Sequence, residues 1–599
     1  MENSSSPSTA SGICWNLGDL YPTPDAPAIQ TDQQRALEDT LAFDAAYRGR
    51  IAELTPEDLA VAVERMEVIV GLVSRPLIHA HLLFSGDTSV WGPQLNAARH
   101  AHSEVMQGLI FFELEWLALD DTQVATHLAH PALGRWRHYL EQLGLTRPHV
   151  LSEPEEKILS IKSNTGEHAF QRLFDETTAG LLCRMRDESG DRGLSLQQAL
   201  ALLYRPERET RQAAAASITA TLAENQRLLA YIFNTLLQEH TDNDRLRNRP
   251  HPMVARNLSN EIDQESVEAL LTTCDRNASL VGRYYTLKRK LLGLDRLYDY
   301  DRYAPVGKNL PACSFEQARE IVLDAYGAFS PRMAEVAGRF FSENWIDAEL
   351  RSGKTGGAFS AATLPEVHPY ILLNYTDTLR DVMTLAHELG HGVHQFLSGP
   401  RGLFQFQTPL TMAETASVFG EMLTFEKLLG EQSADQVRLE LLCGKLEDIF
   451  ATVFRQASMT RFEQSLHAAH RERGELGVED IGDLWMTANR AMFGDTVELS
   501  EGYRHWWSYI PHFIHSPFYC YAYSFGELLV LALYQRYREE GDSFVPRYLA
   551  LLEAGGSDSP ENLLKPLGMD IRSPSFWEQG MALLEGMVSE AERLAGSLE

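Results

Sequence analysis

Helical periodicity runs through most of this chain. Alanine, leucine and long polar side chains recur at spacings of three and four over residues 196–203 and 213–240, the pattern of helices with one buried face. Strand signals are few. The clearest is Tyr370-Ile371-Leu372-Leu373-Asn374-Tyr375, an apolar β-prone run that follows Pro369 and a glycine-rich stretch, 353–357, which reads as flexible. A small sheet is therefore expected just ahead of residues 381–396, where helical periodicity returns. No repeat of solenoid length is present. Proline interrupts the helical pattern at Arg147-Pro148, at Arg205-Pro206 and in Asn248-Arg249-Pro250-His251-Pro252.

Composition narrows the class. A chain of 599 residues exceeds one ordinary hydrophobic core, so at least two packed lobes are expected. With 44% hydrophobic and 23% charged residues it reads as a folded, water-soluble protein. Its formal net charge of -30 argues against nucleic acid and against anionic membrane surfaces, because both are bound through lysine and arginine. The six cysteines lie far apart with no CxxC pair, which suits a reducing compartment. The opening MENSSSPSTASG lacks the basic and apolar regions of a secretory signal, and no uncharged apolar run approaches bilayer-spanning length. A cytoplasmic protein with no nucleic-acid and no membrane partner is the expectation.

The chemistry-bearing segment is His387-Glu388-Leu389-Gly390-His391. On a helix, residues four apart stack on one face, so His387 and His391 can point two imidazole nitrogens at one cation. Glu388 lies next to the first ligand but around the helix from it, where a carboxylate reaches water without ligating the metal. It is the candidate general base. A catalytic zinc needs a third protein ligand and one open position. The metzincin pattern is excluded, because it requires glycine at 394 and histidine at 397, where this chain has His394 and Leu397. His394 shares the face of His387, but three ligands over two turns of one straight helix do not converge on a tetrahedral site. A carboxylate farther along is preferred. Residues 411–421 continue into an apolar-periodic helix with Glu414, Ser417 and Glu421 on one face, and spacing alone does not choose between the two glutamates.

The chain also resembles the M3 family of zinc peptidases, specifically the oligoendopeptidase F group, whose relatives include thimet oligopeptidase. The likeness is carried by Trp15-Asn16-Leu17-Gly18-Asp19-Leu20-Tyr21, Leu151-Ser152-Glu153-Pro154-Glu155-Glu156-Lys157 and Gly357-Ala358-Phe359. It becomes dense through Asn374-Tyr375-Thr376, Asp381-Val382, Thr384-Leu385-Ala386 and the HELGH segment, and ends with Pro517-Phe518-Tyr519. The resemblance implies one Zn2+ per chain held by His387, His391 and Glu414, with Glu388 as general base and Glu421 orienting a ligand. It implies a mainly α fold of two helical lobes enclosing a deep substrate channel, with a small β-sheet next to the HExxH helix, a zincin-like core. It divides the chain into an N-terminal helical region at 1–120, an oligoendopeptidase F-type helical domain at 121–205 and an M3-type catalytic domain at 206–590. The implied activity is hydrolysis of internal bonds in short unfolded oligopeptides. The rivals are a carboxypeptidase or dipeptidyl carboxypeptidase of the same chemistry and, from another class, a non-catalytic helical peptide-binding protein.

Residues 503–526 pack aromatics and three histidines around two prolines. Ser516 and Pro517 read as an N-cap and first helical residue, which places His512 in a loop, and Tyr519 and Tyr523 on one face of the next helix. Tyr521 points the other way. By resemblance, His512 and a tyrosine stabilise the negative charge that develops on a peptide oxygen. The tyrosine offsets of thimet relatives land here on Tyr521 and on Ser524, so Tyr519 and Tyr521 both stand as catalytic candidates. Gly356, Gly357, Asn374 and Tyr523 are expected to touch the substrate, with the strand at 370–375 able to add an extended peptide as a further strand.

Overall fold

The computed structural model describes residues 8–187, 190–307 and 311–598. The chain is mainly α-helical and forms two compact units, each assembled from three stretches of sequence. Unit 1 takes its residues from 8–147, 311–431 and 536–569; unit 2 takes them from 148–307, 432–535 and 570–598. The proline break at Arg147-Pro148 is where the first stretch of unit 1 ends.

Unit 1 opens with three packed helices, Pro27–Tyr47, Pro56–Gly86 and Gly92–Leu117. Phe43, Val63, Met66, Ile69, Val73, Leu109, Phe112 and Trp116 fill the space between them. Among the described helices, Pro56–Gly86 alone is long and apolar enough to match a membrane span in composition. Its buried apolar side chains from Leu59 to Val73 pack into this core, and Leu77, Ala80 and Phe84 into a smaller neighbouring cluster.

A three-stranded sheet follows, in the order β3-β5-β4, where β3 is Ile346–Asp347, β4 is Phe359–Ala361 and β5 is Tyr370–Leu372. β5 runs parallel to β3 and antiparallel to β4. The strand expected at 370–375 is thus the middle one, buried along its length, and has no free edge for an added peptide. The glycine-rich stretch read as flexible is tied down. Lys354, its side chain wholly buried, ion-pairs with Asp347 at 2.7 Å and donates to the carbonyls of Glu349 and Leu373.

The HELGH segment lies in helix Leu379–Ser398, two residues longer at each end than the periodicity indicated. Thr378 caps its N-terminus, and the Asp381 carboxylate collects the backbone N–H and hydroxyl of both Thr376 and Thr378. Helices Phe315–Phe329, Pro331–Ser342, Ser417–Glu431 and Val545–Ala554 pack around it.

Unit 2 is built on the long helix Arg208–Leu246, packed against Phe454–Arg473, Val478–Phe493 and the 3-10 segment Glu501–Tyr509. It also carries an antiparallel pair that the sequence reading missed, β1 (Leu182–Asp187) with β2 (Gly190–Ser195). Cys183 and Met185 point inward and Arg184 outward, so the strand alternates, but its charges and short length hid it among helices. All six cysteines are free, and only Cys14 is exposed.

Candidate active site

Two short distances define a cluster that could hold a metal ion. Oε2 of Glu414 lies 3.3 Å from Nε2 of His387 and 3.4 Å from Nε2 of His391, and the ligand atoms of the three residues fall within 4.8 Å of one another. The imidazole rings stand 4.9 Å apart at 82°, edge to face, as two side chains one turn apart on a helix must when both tips converge. Spacing left Glu414 and Glu421 open as third ligand. In the structure Glu414 meets both imidazoles, whereas Glu421 Oε2 lies 3.3 Å from Nδ1 of His387, behind the ring.

The backbone explains how Glu414 gets there. It ends the short helix Leu410–Ala413, and Ser417 Oγ donates to its carboxylate at 2.6 Å. Tyr548, fully buried, donates its hydroxyl to the Thr415 carbonyl at 2.9 Å and pins the turn between the two acidic segments. Gly390, inside the HELGH segment, allows the close approach. A methyl group there would collide with the Ala416 carbonyl and with Cα of Ser417. Gly420 on the facing helix makes room in the same way for Tyr326, whose hydroxyl donates to the Ala386 carbonyl just before the first ligand.

Electrostatics in this cluster are set by burial against mutual attraction. Burial disfavours a charge on His387, but the Glu421 hydrogen bond and the Glu414 carboxylate outweigh it and raise its pKa to about 9. Glu414 is half-buried and desolvation opposes its charge, yet the neighbouring imidazoles hold its carboxyl down to about 2. Two imidazole nitrogens and an ionised carboxylate, drawn together and oriented by Glu421 and Ser417, match the donor set that zinc takes. Beside them, the Glu388 carboxyl is buried and its pKa raised by that burial. It accepts the backbone N–H of Ser360, while its Oε2 has no hydrogen-bond partner. A buried carboxylate oxygen left free next to a ligand cluster is poised to take a proton. His394, the rival ligand on spacing, is buried outside the cluster, and burial together with the neighbouring His391 drives its pKa down to about 3.

Ser360, in the middle of β4, was not picked out from the sequence. Its N–H and C=O face away from β5 and toward the motif helix, where Glu388 takes the N–H and Gln395 Nε2 reaches the carbonyl at 3.3 Å; the Ser360 hydroxyl donates to Gln395 Oε1 at 2.8 Å. Asn374 spends its side-chain amide on the carbonyls of Thr355 and Gly357, and so shapes the loop that carries Gly356 and Gly357.

The second candidate segment belongs to unit 2 and departs from its expected form. His512 opens a one-turn helix, His512–His515, and the next helix begins at Tyr521 rather than Pro517. Between them, Tyr519 N–H donates to the Ser516 carbonyl across a turn with Pro517 second and Phe518, at φ 58°, third. The turn brings three of the candidates together. His512 Nε2 is 3.4 Å from the Tyr523 hydroxyl, its ring is 5.8 Å from that of Tyr519, and the two tyrosine rings are 5.1 Å apart. Burial and the nearby Arg455 lower the pKa of His512. Tyr521 is not with them. It is fully buried, accepts from Asn260 and donates to Asn257, both at 2.9 Å, which leaves its hydroxyl no capacity to serve a substrate.

A model of peptidase family M3 matches residues 201–583, and one described as Oligopeptidase F matches residues 115–181. The chain belongs to peptidase family M3. It is a metallo-endopeptidase of the oligoendopeptidase F group. It is 26% identical to Oligopeptidase PepF of Bacillus subtilis, over 97% of this chain and 87% of that protein. It is also 26% identical to Group B oligopeptidase PepB of Streptococcus agalactiae, over 97% and 96%. The fold matches a peptidase structure from Chlamydophila abortus with a TM-score of 0.88, at 24% identity over 98% and 100% of the two chains. It matches oligoendopeptidase-F from Enterococcus faecium with a TM-score of 0.72, at 24% identity over 95% and 99%.

Proposed function

We propose that this M3 peptidase is a zinc-dependent oligoendopeptidase that cleaves internal bonds of short unfolded peptides in the cytoplasm. The observation that carries the reading is the convergence of His387, His391 and Glu414 beside the free Oε2 of Glu388. The free, mostly buried cysteines suit the reducing compartment.

His387, His391 and Glu414 would hold the ion. Zinc bound there supplies Lewis acidity, polarising a carbonyl and lowering the pKa of water to roughly 7. Glu388 takes a proton from the attacking water as the new C–O bond forms, and returns it to the leaving nitrogen as the C–N bond breaks. The Ser360 N–H keeps the carboxyl aimed while it changes charge. His512 and Tyr523, already within reach of one another, are the pair assigned to the charge that develops on the peptide oxygen, with Tyr519 packed on both. The loop of Gly356 and Gly357, held by the Asn374 amide, is assigned to the peptide backbone.

The experiment is a mass-spectrometric digest of a mixed peptide library. Internal fragments are expected, lost with chelator and restored by added zinc. Glu388→Gln should keep stoichiometric zinc and lose nearly all turnover; normal hydrolysis by that variant would overturn the mechanism. Release of only terminal residues or dipeptides would overturn the endopeptidase assignment.

A further inference from the structure

Phe518 is a large side chain in a backbone conformation that favours glycine. The third position of its turn has positive φ, and an L residue is strained there unless its surroundings impose it. The surroundings are explicit. The Phe518 ring is fully buried, 4.6 Å from the ring of His467 and 6.1 Å from that of His240. The peptide bond before it is held on both sides. Its N–H donates to Oε1 of Glu463 at 2.8 Å, and its carbonyl, that of Pro517, accepts from Nε of Arg256 at 3.3 Å. Arg256 also lies over the ring of Tyr519, 5.5 Å from its centroid.

Glu463 is otherwise hard to account for. It is buried on helix Phe454–Arg473, its Oε2 has no hydrogen-bond partner, and no ion pair holds it among the described residues. Burial raises its pKa to about 8, so near neutrality it is a carboxylic acid whose one hydrogen bond among the described residues is to the Phe518 N–H. A buried group of this kind costs stability, and an apolar side chain would fill the space more cheaply. What it supplies is one acceptor at one backbone amide.

We infer that Glu463 is a positioning residue, fixing with Arg256 the Pro517–Phe518 peptide and, through the turn, the places of His512, Tyr519 and Tyr523. The inference rests on the role proposed above for His512 and its tyrosines. Without the acceptor, the turn has a simple escape: the peptide flips, φ of Phe518 returns to negative values, and Tyr519 and Tyr523 leave His512. The segment stays folded but is no longer aligned.

The test is a kinetic comparison of Glu463→Gln, Glu463→Leu, His512→Ala and the Glu463→Leu/His512→Ala double variant. Glu463→Gln keeps the acceptor and should stay within about twofold of the parent kcat, while Glu463→Leu should lose about 10- to 100-fold in kcat with KM and zinc content unchanged. Because Glu463 acts through the His512 segment, the double variant should be no slower than His512→Ala alone. Parental kcat in Glu463→Leu, or losses that multiply in the double variant, would overturn the inference. Full activity in His512→Ala would instead overturn the reading of His512 on which it rests. Should Glu463→Leu fail to fold, Arg256→Gln releases the other side of the same peptide and must show the same kcat-only, non-additive loss.

Discussion

Oε2 of Glu421 sits 3.3 Å from Nδ1 of His387, on the opposite side of the ring from Glu414. That contact fixes the tautomer that leaves Nε2 free for the metal and makes the imidazole a better donor. Glu421→Ala should therefore weaken zinc affinity by about 10- to 100-fold. A competition titration with a coloured chelator measures this, and activity should return at excess zinc.

The packing of Gly390 against Ala416 and Ser417 leaves no space for a side chain. Gly390→Ala has to push the Glu414 segment away from the two histidines. A destabilisation of about 1–3 kcal/mol is expected, together with loss of bound zinc. Thermal melting and metal analysis report the two effects separately.

Ser360→Pro removes the outward N–H that Glu388 accepts and spares the sheet, because that amide does not face β5. Hydrogen bonds to charged groups contribute about 1.5–3 kcal/mol, so kcat should fall roughly 10- to 100-fold with zinc retained. Ser360→Ala keeps the amide and should retain most activity. Equal kinetics in the two variants would show that the amide does not aim Glu388.

The tyrosines separate cleanly. Tyr521→Phe strands the amides of Asn257 and Asn260, and should cost about 1–3 kcal/mol of stability with kcat preserved. Tyr523→Phe should do the reverse, lowering kcat with little change in melting temperature.

The pH dependence of stability carries a signature of Glu463. In the unfolded chain its carboxyl ionises near the ordinary 4.5, while in the folded protein it keeps its proton up to about 8. Between those values the folded state binds more protons, so this group lowers stability as pH rises. Arg256 and Cys520 face it in the parent and in Glu463→Gln alike, and cancel in the comparison. The melting temperature of Glu463→Gln should gain on the parent between pH 4.5 and pH 8.

Much of the metal cluster was legible because it is local: His387, Glu388 and His391 are one turn of one helix, and helical period alone aligns them. Glu414 was narrowed by spacing to two glutamates and separated from Glu421 by resemblance. What stayed hidden depends on contacts far apart in sequence. Ser360 reaches Glu388 from a three-residue strand too short to leave a pattern, and Tyr548 reaches Thr415 across 133 positions. The turn at 516–519 was misread because Ser-Pro signals a helix start equally well. Nothing in the letters shows that Phe518, rather than a glycine, takes positive φ there. The burial of Tyr521 is likewise a tertiary fact, since its neighbours Tyr519 and Tyr523 face His512 instead.

The contact at Gly390 also bears on how the protein is assembled in the cell. Two donors come from one helix and the third from a turn docked on it backbone to backbone, so no rotamer can compensate for incomplete docking. The binding pocket for the ion does not exist until that part of unit 1 has closed, and metal capture then draws the equilibrium toward the closed form. On the zinc reading proposed above, ion supply would act as a checkpoint on maturation: chains made under zinc starvation should accumulate in a looser, protease-sensitive and inactive form, and added zinc should tighten them as activity appears.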